Sequence, residues 1–271
     1  MYSNIIIGVD GRQGGRDAAA LAGILAGAAA RRHLAYVETD PHNGRGSADD
    51  LHLELADAEL LPALLNTERE LAGGVAPLVR IAAESVASGL GELSGRDDAD
   101  LVVVGASRHR DDIGGHVGRD DVVALLRQTG ETIAVAPNGY SDGPRRLERI
   151  GVAFDSSSES FVALAHAGLL AEQRGCEVVA SRLPEPADWP PSAPAIHAAA
   201  RVGLVRLSRE VDLLVCGSRR AGTLRRLATG STSEYLTRHV EVPLLITAPF
   251  DARAMGVWRE RHRHRTEQVA Q

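Results

Sequence analysis

Short, β-branched runs that are apolar almost throughout, separated by helical patterns, constrain this chain more than any other feature. They are Asn4–Val9 (NIIIGV), Asp100–Val104 (DLVVV), Thr132–Ala136 (TIAVA), Arg149–Phe154 (RIGVAF) and Val211–Cys216 (VDLLVC). Runs of this length and make-up are strands buried on both faces. Buried strands alternating with helices imply an open, mainly parallel sheet with helices on both sides, the Rossmann-like α/β arrangement. Ligands of such sheets sit beyond the carboxyl ends of the strands, where the strand order reverses. Asp10, Gly105, Asp155 and Gly217 all fall at those ends.

The order of elements occurs twice. After a strand ending at Asp10, the pattern predicts a helix over 15–32, a strand over 34–38 and an amphipathic stretch marked by Leu51, Leu55, Leu61 and Leu65 and broken at Pro62. A short strand over 75–81, a helix over 84–93, the run ending at Val104, a helix over 120–127 and the strand to Ala136 follow. Asn138–Pro144 (NGYSDGP) is turn-rich and polar, a linker composition. Then a strand ends at Asp155 as the first did at Asp10, followed by helix 161–174, strand 177–181 and helix 196–209. About 29 residues separate the second strand from Val211 in the second copy and about 60 lie in the corresponding place of the first, so the second copy lacks a strand and a helix. The expected division is a first domain over 1–139, a linker over 140–148, a shortened second domain over 149–250 and a basic tail over 251–271.

Composition removes several function classes. With 271 residues and 44% hydrophobic content the chain can build real cores, while 3% aromatics argues against base-stacking nucleic-acid surfaces. A net charge of −6 gives no global basic field for nucleic acid or membrane. The start, MYSNIIIGVDG, lacks the basic region of a signal peptide, and no run reaches the roughly 20 apolar residues of a membrane span. A cytoplasmic protein is the expectation. The sequence contains no lysine, which removes a P-loop, a kinase strand lysine and Schiff-base chemistry. Cys176 and Cys216, at strand ends, do not make a disulfide framework. The histidines are scattered, and His262 and His264 lie in a charged tail that reads as solvated surface before it reads as a metal site.

Residues 211–249 carry the densest chemistry. A buried strand ends at Gly217, an Arg-rich loop follows (Arg219, Arg220, Arg225, Arg226), and Gly230-Ser231-Thr232-Ser233 leads into a helical pattern. Glycine permits close backbone approach, a helix start offers unpaired N–H donors, and arginine forms the stronger, charge-assisted bonds to phosphate. The same residues have a ligand-free reading. Ser231-x-x-Glu234 is a capping box, glycines after buried strands are common turn residues, and an Arg-rich loop can be a solvated face. Ser156–Ser158 similarly read as a helix cap or as ligand contacts. No Ser-His-Asp arrangement, metal spacing or acid/base pair stands out.

These residues resemble the universal stress protein domain of the adenine-nucleotide α-hydrolase-like superfamily, twice over, across nearly the whole chain except the last 20 residues or so. The family's motif is G-x2-G-x9-G-[S/T] between a strand and a helix. Gly217 and the pair Gly230-Ser231 match its outer positions, Arg220 stands at the middle glycine, and Gly222, Leu224 and Ser233-Glu234-Tyr235 resemble its loop and helix start. The resemblance implies that Asp155 lies near the nucleoside and Leu183 offers backbone to adenine. In the first copy Gly105 and Gly118 hold the outer positions, but Arg108 replaces the middle glycine and Arg119 the hydroxyl residue. Asp120 and Asp121 then repel phosphate, so this copy is degenerate as a phosphate cradle.

The resulting expectation is a non-enzymatic stress-response protein that holds an adenine nucleotide in its second domain as a structural or regulatory ligand. ATP is the first choice, with AMP or ADP as alternatives and Mg only alongside bound phosphates. The expected site is Asp155, Leu183, Gly217, Arg220, Gly222, Gly230, Ser231, Thr232 and Ser233. A homodimer through sheet edges and a further protein partner are expected, with no nucleic acid and no membrane. The other classes are a ligand-free interaction module and a weak ATP-hydrolysing enzyme.

Overall fold

The computed structural model describes residues 2–39, 65–106, 122, 124–126, 131–182, 193–218 and 232–248. The chain divides into two compact units, Tyr2–Arg146 and a second beginning at Leu147.

In the first unit the elements are β1 (Tyr2–Gly8), α1 (Gln13–Leu25), β2 (Ala26–Thr39), α2 (Asn66–Leu71), β3 (Leu78–Ala83), α3 (Val86–Arg96), β4 (Leu101–Gly105) and β5 (Thr132–Ala136). The strands are parallel in the order β3-β2-β1-β4-β5. Ile5–Ile7 and Leu101–Val104 are fully buried, as uninterrupted apolar runs require of central strands. Helices pack on both faces. On one, α3 puts Leu90 3.2 Å from where a Cβ on Gly8 would stand; on the other, α1 backs onto β4 at Gly105.

The second unit contains β6 (Arg149–Phe154), α4 (Ser158–Arg174), β7 (Glu177–Arg182), α5 (Ala193–Ser208), β8 (Leu213–Gly217), α6 (Thr232–His239) and β9 (Leu244–Thr247). Its order is β9-β8-β6-β7, again parallel. Among the described residues nothing here corresponds to β3 or α2, the shortening expected from the spacing.

The α/β class, the parallel sheets and most elements agree with the sequence pattern, with one large difference. The helix expected over 15–32 stops at Leu25, and β2 runs 14 residues instead of five. Strand length does not set this end, since α4 runs 17 residues over the six-residue β6 while α1 runs 13 over the seven-residue β1. The Ala-rich sequence gives no stop signal, since Ala26 ends the helix in an extended conformation (φ −67°, ψ 136°) with no left-handed glycine. Elsewhere among the described residues the differences are shifts at element ends, such as β3 starting at Leu78; the stretch marked by Leu51, Leu55 and Leu61 and most of the helix expected over 120–127 lie outside the described residues.

Candidate functional site

In both units the strand order reverses beside the first strand. Asp155 follows β6 and Gly217 ends β8, two adjacent strands flanking the reversal point of the second unit. In the first, Asp10 follows β1 and Gly105 ends β4. The sheet therefore brings Asp155 and Gly217 together, two of the residues singled out in the sequence. Thr247 closes β9 opposite Gly217, and Ser218 donates its N–H to the Thr247 carbonyl at 3.1 Å.

Asp155 is half-buried and already engaged. Its Oδ1 accepts the Ser157 N–H at 3.1 Å and the Ser157 hydroxyl. Ser157 is the N-cap of α4, its Oγ accepting the Ser160 N–H at 3.2 Å. Of the two readings of Ser156–Ser158, the cap holds for Ser157. In the first unit Asp10 does the same work without an intermediary. Its Oδ1 accepts the Arg12 N–H at 3.0 Å and the Gly15 N–H at 3.2 Å, because the N-cap there, Arg12, has no hydroxyl to offer. Between aspartate and helix each chain turns through the left-handed region, at Gly11 (φ 73°) and at Ser156 (φ 63°). Glycine adopts that conformation freely and serine does not.

Gly217 has a steric reason to be glycine. A Cβ there would stand 2.5 Å from the Glu159 carbonyl oxygen and 2.6 Å from its carbon, in the first turn of α4. Gly105 repeats this against α1, where a Cβ would meet the Gly14 oxygen at 2.1 Å. The strand ends are thus pressed against the backbone of the neighbouring helix start.

The duplication reaches bonds that the sequence pattern did not reveal. Asp100, just before β4, accepts the Ser3 N–H at 2.8 Å and the Asn4 N–H at 3.0 Å. Asp212, just before β8, accepts the Glu148 and Arg149 N–H groups, both at 2.8 Å. Each carboxylate ties the start of its unit's first strand to that of the strand beside it. Asp10/Asp155 and Gly14/Glu159 are both 145 residues apart, whereas Asp100/Asp212 and Gly105/Gly217 are both 112 apart. The 33 residues lost between them are those of the shortened crossover. The recurring A/V-D-L-x-V-x-G could have shown this pair.

Asp17 was also missed. It is 0% exposed on α1 and accepts the Gly139 N–H at 2.8 Å, the Ser141 N–H at 2.8 Å, the Ser141 hydroxyl at 2.9 Å and the Gln13 side-chain amide at 3.0 Å. The segment read as a linker therefore begins with a turn of 3₁₀ helix, Tyr140–Asp142, fastened to α1. The two cysteines stand on opposite sides of β6 and at opposite strand ends, Cys176 before β7 and Cys216 within β8. Burial pushes the Cys176 thiol above its ordinary range, which disfavours the nucleophilic thiolate. Tyr235 lies under the Arg201 guanidinium, 4.9 Å from its ring centroid, and stacks on His239 at 3.8 Å, fastening α6 to α5.

Leu183, Arg220, Gly222, Gly230 and Ser231 lie outside the described residues, as do the side chains of Thr232 and Ser233, the first-copy loop from Arg108 to Asp121 and the tail over 251–271. The helix α6 begins at Thr232, so the sequence places Gly230-Ser231 immediately before a helix N-terminus. Among the described residues, no group of three or more His, Cys, Asp or Glu side chains could hold a metal ion, and no helix is long and apolar enough to cross a membrane.

The sequence matches the Universal stress protein family over residues 1–118 and 197–248. No curated protein matches it. Among solved structures, a universal stress protein from Archaeoglobus fulgidus is similar with a TM-score of 0.62 at 18% identity, covering 92% of this chain and 97% of that one. A putative universal stress protein from Pseudomonas aeruginosa gives 0.59 at 16% identity, with 96% and 97% covered. A universal stress protein in complex with cAMP gives 0.38 at 17% identity, spanning 51% of this chain and 98% of its own.

Proposed function

Because the chain belongs to the universal stress protein family, we propose that its second unit binds an adenine nucleotide, ATP in the first instance, as a structural or regulatory ligand. The observation that supports this reading is the adjacency of Asp155 and Gly217 at the ends of neighbouring strands beside the second unit's reversal point, with α6 starting at Thr232, directly after Gly230-Ser231 in the sequence. A carboxylate beside a glycine-ended strand suits the hydroxyls of a ribose, and hydroxyls with unpaired N–H groups at a helix start suit phosphate. In this reading Asp155 faces the nucleoside and Leu183 offers its backbone to adenine. Gly217, Gly222 and Gly230 leave room for the phosphates, and Ser231, Thr232 and Ser233 donate to them. Arg220, at the middle glycine's position, supplies a charge-assisted bond. Mg accompanies the phosphates and is not part of a protein cage.

The reading carries no catalytic step. It describes a tandem protein with a degenerate first site, working in the cytoplasm in a stress response, with a second copy at its sheet edges or another protein as partner. One observation favours a ligand-free module instead. Gly217 is explained by packing, and Gly105 is glycine for the same reason in the copy whose phosphate motif is degenerate. The ligand reading therefore rests on Gly230 and Ser231. Denaturing the purified protein and measuring what it releases, by absorbance and mass, decides between the two. Near one adenine nucleotide per chain is expected, with none from Gly230→Asp. Added ATP at about 100 times its dissociation constant should stabilise emptied wild type by about 2.7 kcal/mol. An empty wild type whose melting temperature ATP does not move refutes binding, and ATP turnover above a buffer control would make the protein an enzyme.

A further inference from the structure

Glu68, on α2, is 1% exposed, and neither of its carboxylate oxygens has a hydrogen-bond partner. A buried carboxylate in that situation strongly favours its neutral acid. Among the described residues the charged groups that act on it are Arg16 of α1 and Asp10 of the β1–α1 turn. Burial dominates and pushes the carboxyl above the usual glutamate range; its own backbone N–H and Arg16 oppose the shift, and Asp10 adds to it. Arg16 donates to the Gln13 side-chain oxygen at 2.8 Å and acts on Glu68 by its charge, without a hydrogen bond to it. On α2 itself Arg69 donates to Asn66 at 2.9 Å, and Glu70 is exposed.

The helix bearing Glu68 sits hard against α1. The Leu71 carbonyl would be 2.6 Å from a Cβ on Gly23, an approach only glycine admits. Leu65, fully buried, lies beside Gly11 in the β1–α1 turn. Leu65, the residue that caps α2, thus lies over the turn that carries Asp10, and among the described residues the acid at the centre of α2 has no hydrogen-bond partner.

We propose that Glu68 is a pH-operated latch: protonated, it lets α2 lie on α1 over the β1–α1 turn; ionised, it drives α2 away and uncovers Asp10 and Gly11. Because the docked state favours the acid form, docking is firmest below the ordinary glutamate range. It weakens as pH rises and is lost as pH passes the docked-state value. The second unit has no counterpart of α2 among its described residues, so the latch belongs to the first unit.

Hydrogen exchange on the full-length chain tests this, followed by mass spectrometry from about pH 5 to about pH 8 and corrected for the intrinsic rate. In wild type, protection of residues 66–74 and 10–16 should fall by about tenfold per pH unit where the docked and released carboxyls differ in protonation, while β4 stays protected. Glu68→Gln keeps the shape without the charge and should hold that protection level across the range. Glu68→Leu should do the same without any polar group, so that one ill-folded variant leaves the other to decide. Constant wild-type protection, protection that rises with pH, or a Glu68→Gln profile that falls like wild type overturns the proposal.

Discussion

Replacing Gly217 with alanine should destabilise the second unit whether or not any nucleotide is present. The added Cβ would stand 2.5 Å from the Glu159 oxygen, where real contacts stay above 3.0 Å, so α4 must retreat by about 0.5 Å. The obstacle is backbone, and it belongs to a 17-residue helix with nine buried residues, so it moves only by disturbing packing along the sheet. Overpacking of this kind costs about 1–3 kcal/mol. In a domain of about 100 residues each kcal/mol lowers the melting temperature by about 4–8 °C. Gly203→Ala is the matched control. It lies within α5 with nothing inside 4 Å of the new Cβ, and should gain about 0.5–1 kcal/mol from helix propensity and a stiffer unfolded chain. Calorimetry on protein stripped of nucleotide by unfolding and refolding should therefore show shifts of opposite sign. If Gly217→Ala melts at or above wild type while losing nucleotide, the glycine serves the ligand alone and the packing argument is wrong.

Asp17→Ala removes the acceptor for two backbone N–H groups and a hydroxyl, and should cost about 2–4 kcal/mol in urea unfolding, with hydrogen exchange at residues 139–142 rising sharply. Asp17→Asn, which keeps one acceptor oxygen, should lose less; equal stability of wild type and Asp17→Ala would show that the turn is not held there. Ser156→Gly should raise stability by about 0.5–1 kcal/mol, because the left-handed backbone that Gly11 adopts at the equivalent place strains a serine. A lower melting temperature for that variant would mean the hydroxyl makes a bond worth more than the strain.

What the sequence made legible was whatever local pattern dictates. Apolar runs such as Ile5–Ile7 and Leu101–Val104 read as central strands, and the repeat from Asp10 to Asp155 pointed to two units and to a second copy without counterparts of β3 and α2 among the described residues. The end of α1 was illegible because alanine tolerates either conformation, and the helix passes into β2 at Ala26 with no left-handed glycine to mark it. Asp17 was illegible for another reason. Its backbone partners lie more than 120 residues away, and an aspartate on an Ala-rich helix looks like solvent exposure until the turn at Tyr140–Asp142 folds onto it. Its counterpart in the second unit is Val162, so the duplication gave no hint of it. Glu68 escaped notice in the same way, as one acid among several in a stretch whose burial the helical spacing assigned to leucines.

The two copies divide the glycine motif into parts with separate causes. Its first glycine is required by the fold, since Gly105 and Gly217 each meet the backbone carbonyl of a neighbouring helix start, although the sequences after them differ. Asp10 and Asp155 are likewise retained where they hold the start of a helix, before any ligand is considered. What differs between the copies is the end of the motif: Gly118-Arg119-Asp120-Asp121 in one, Gly230-Ser231-Thr232-Ser233 in the other. Only that difference changes sign with respect to phosphate, from two carboxylates in one sequence to three hydroxyls in the other. A function in nucleotide binding therefore makes an asymmetric demand on the chain. Substitutions at Gly105 and Gly217 should act on stability in both units, whereas substitutions at Gly230 and Ser231 should act on ligand in one.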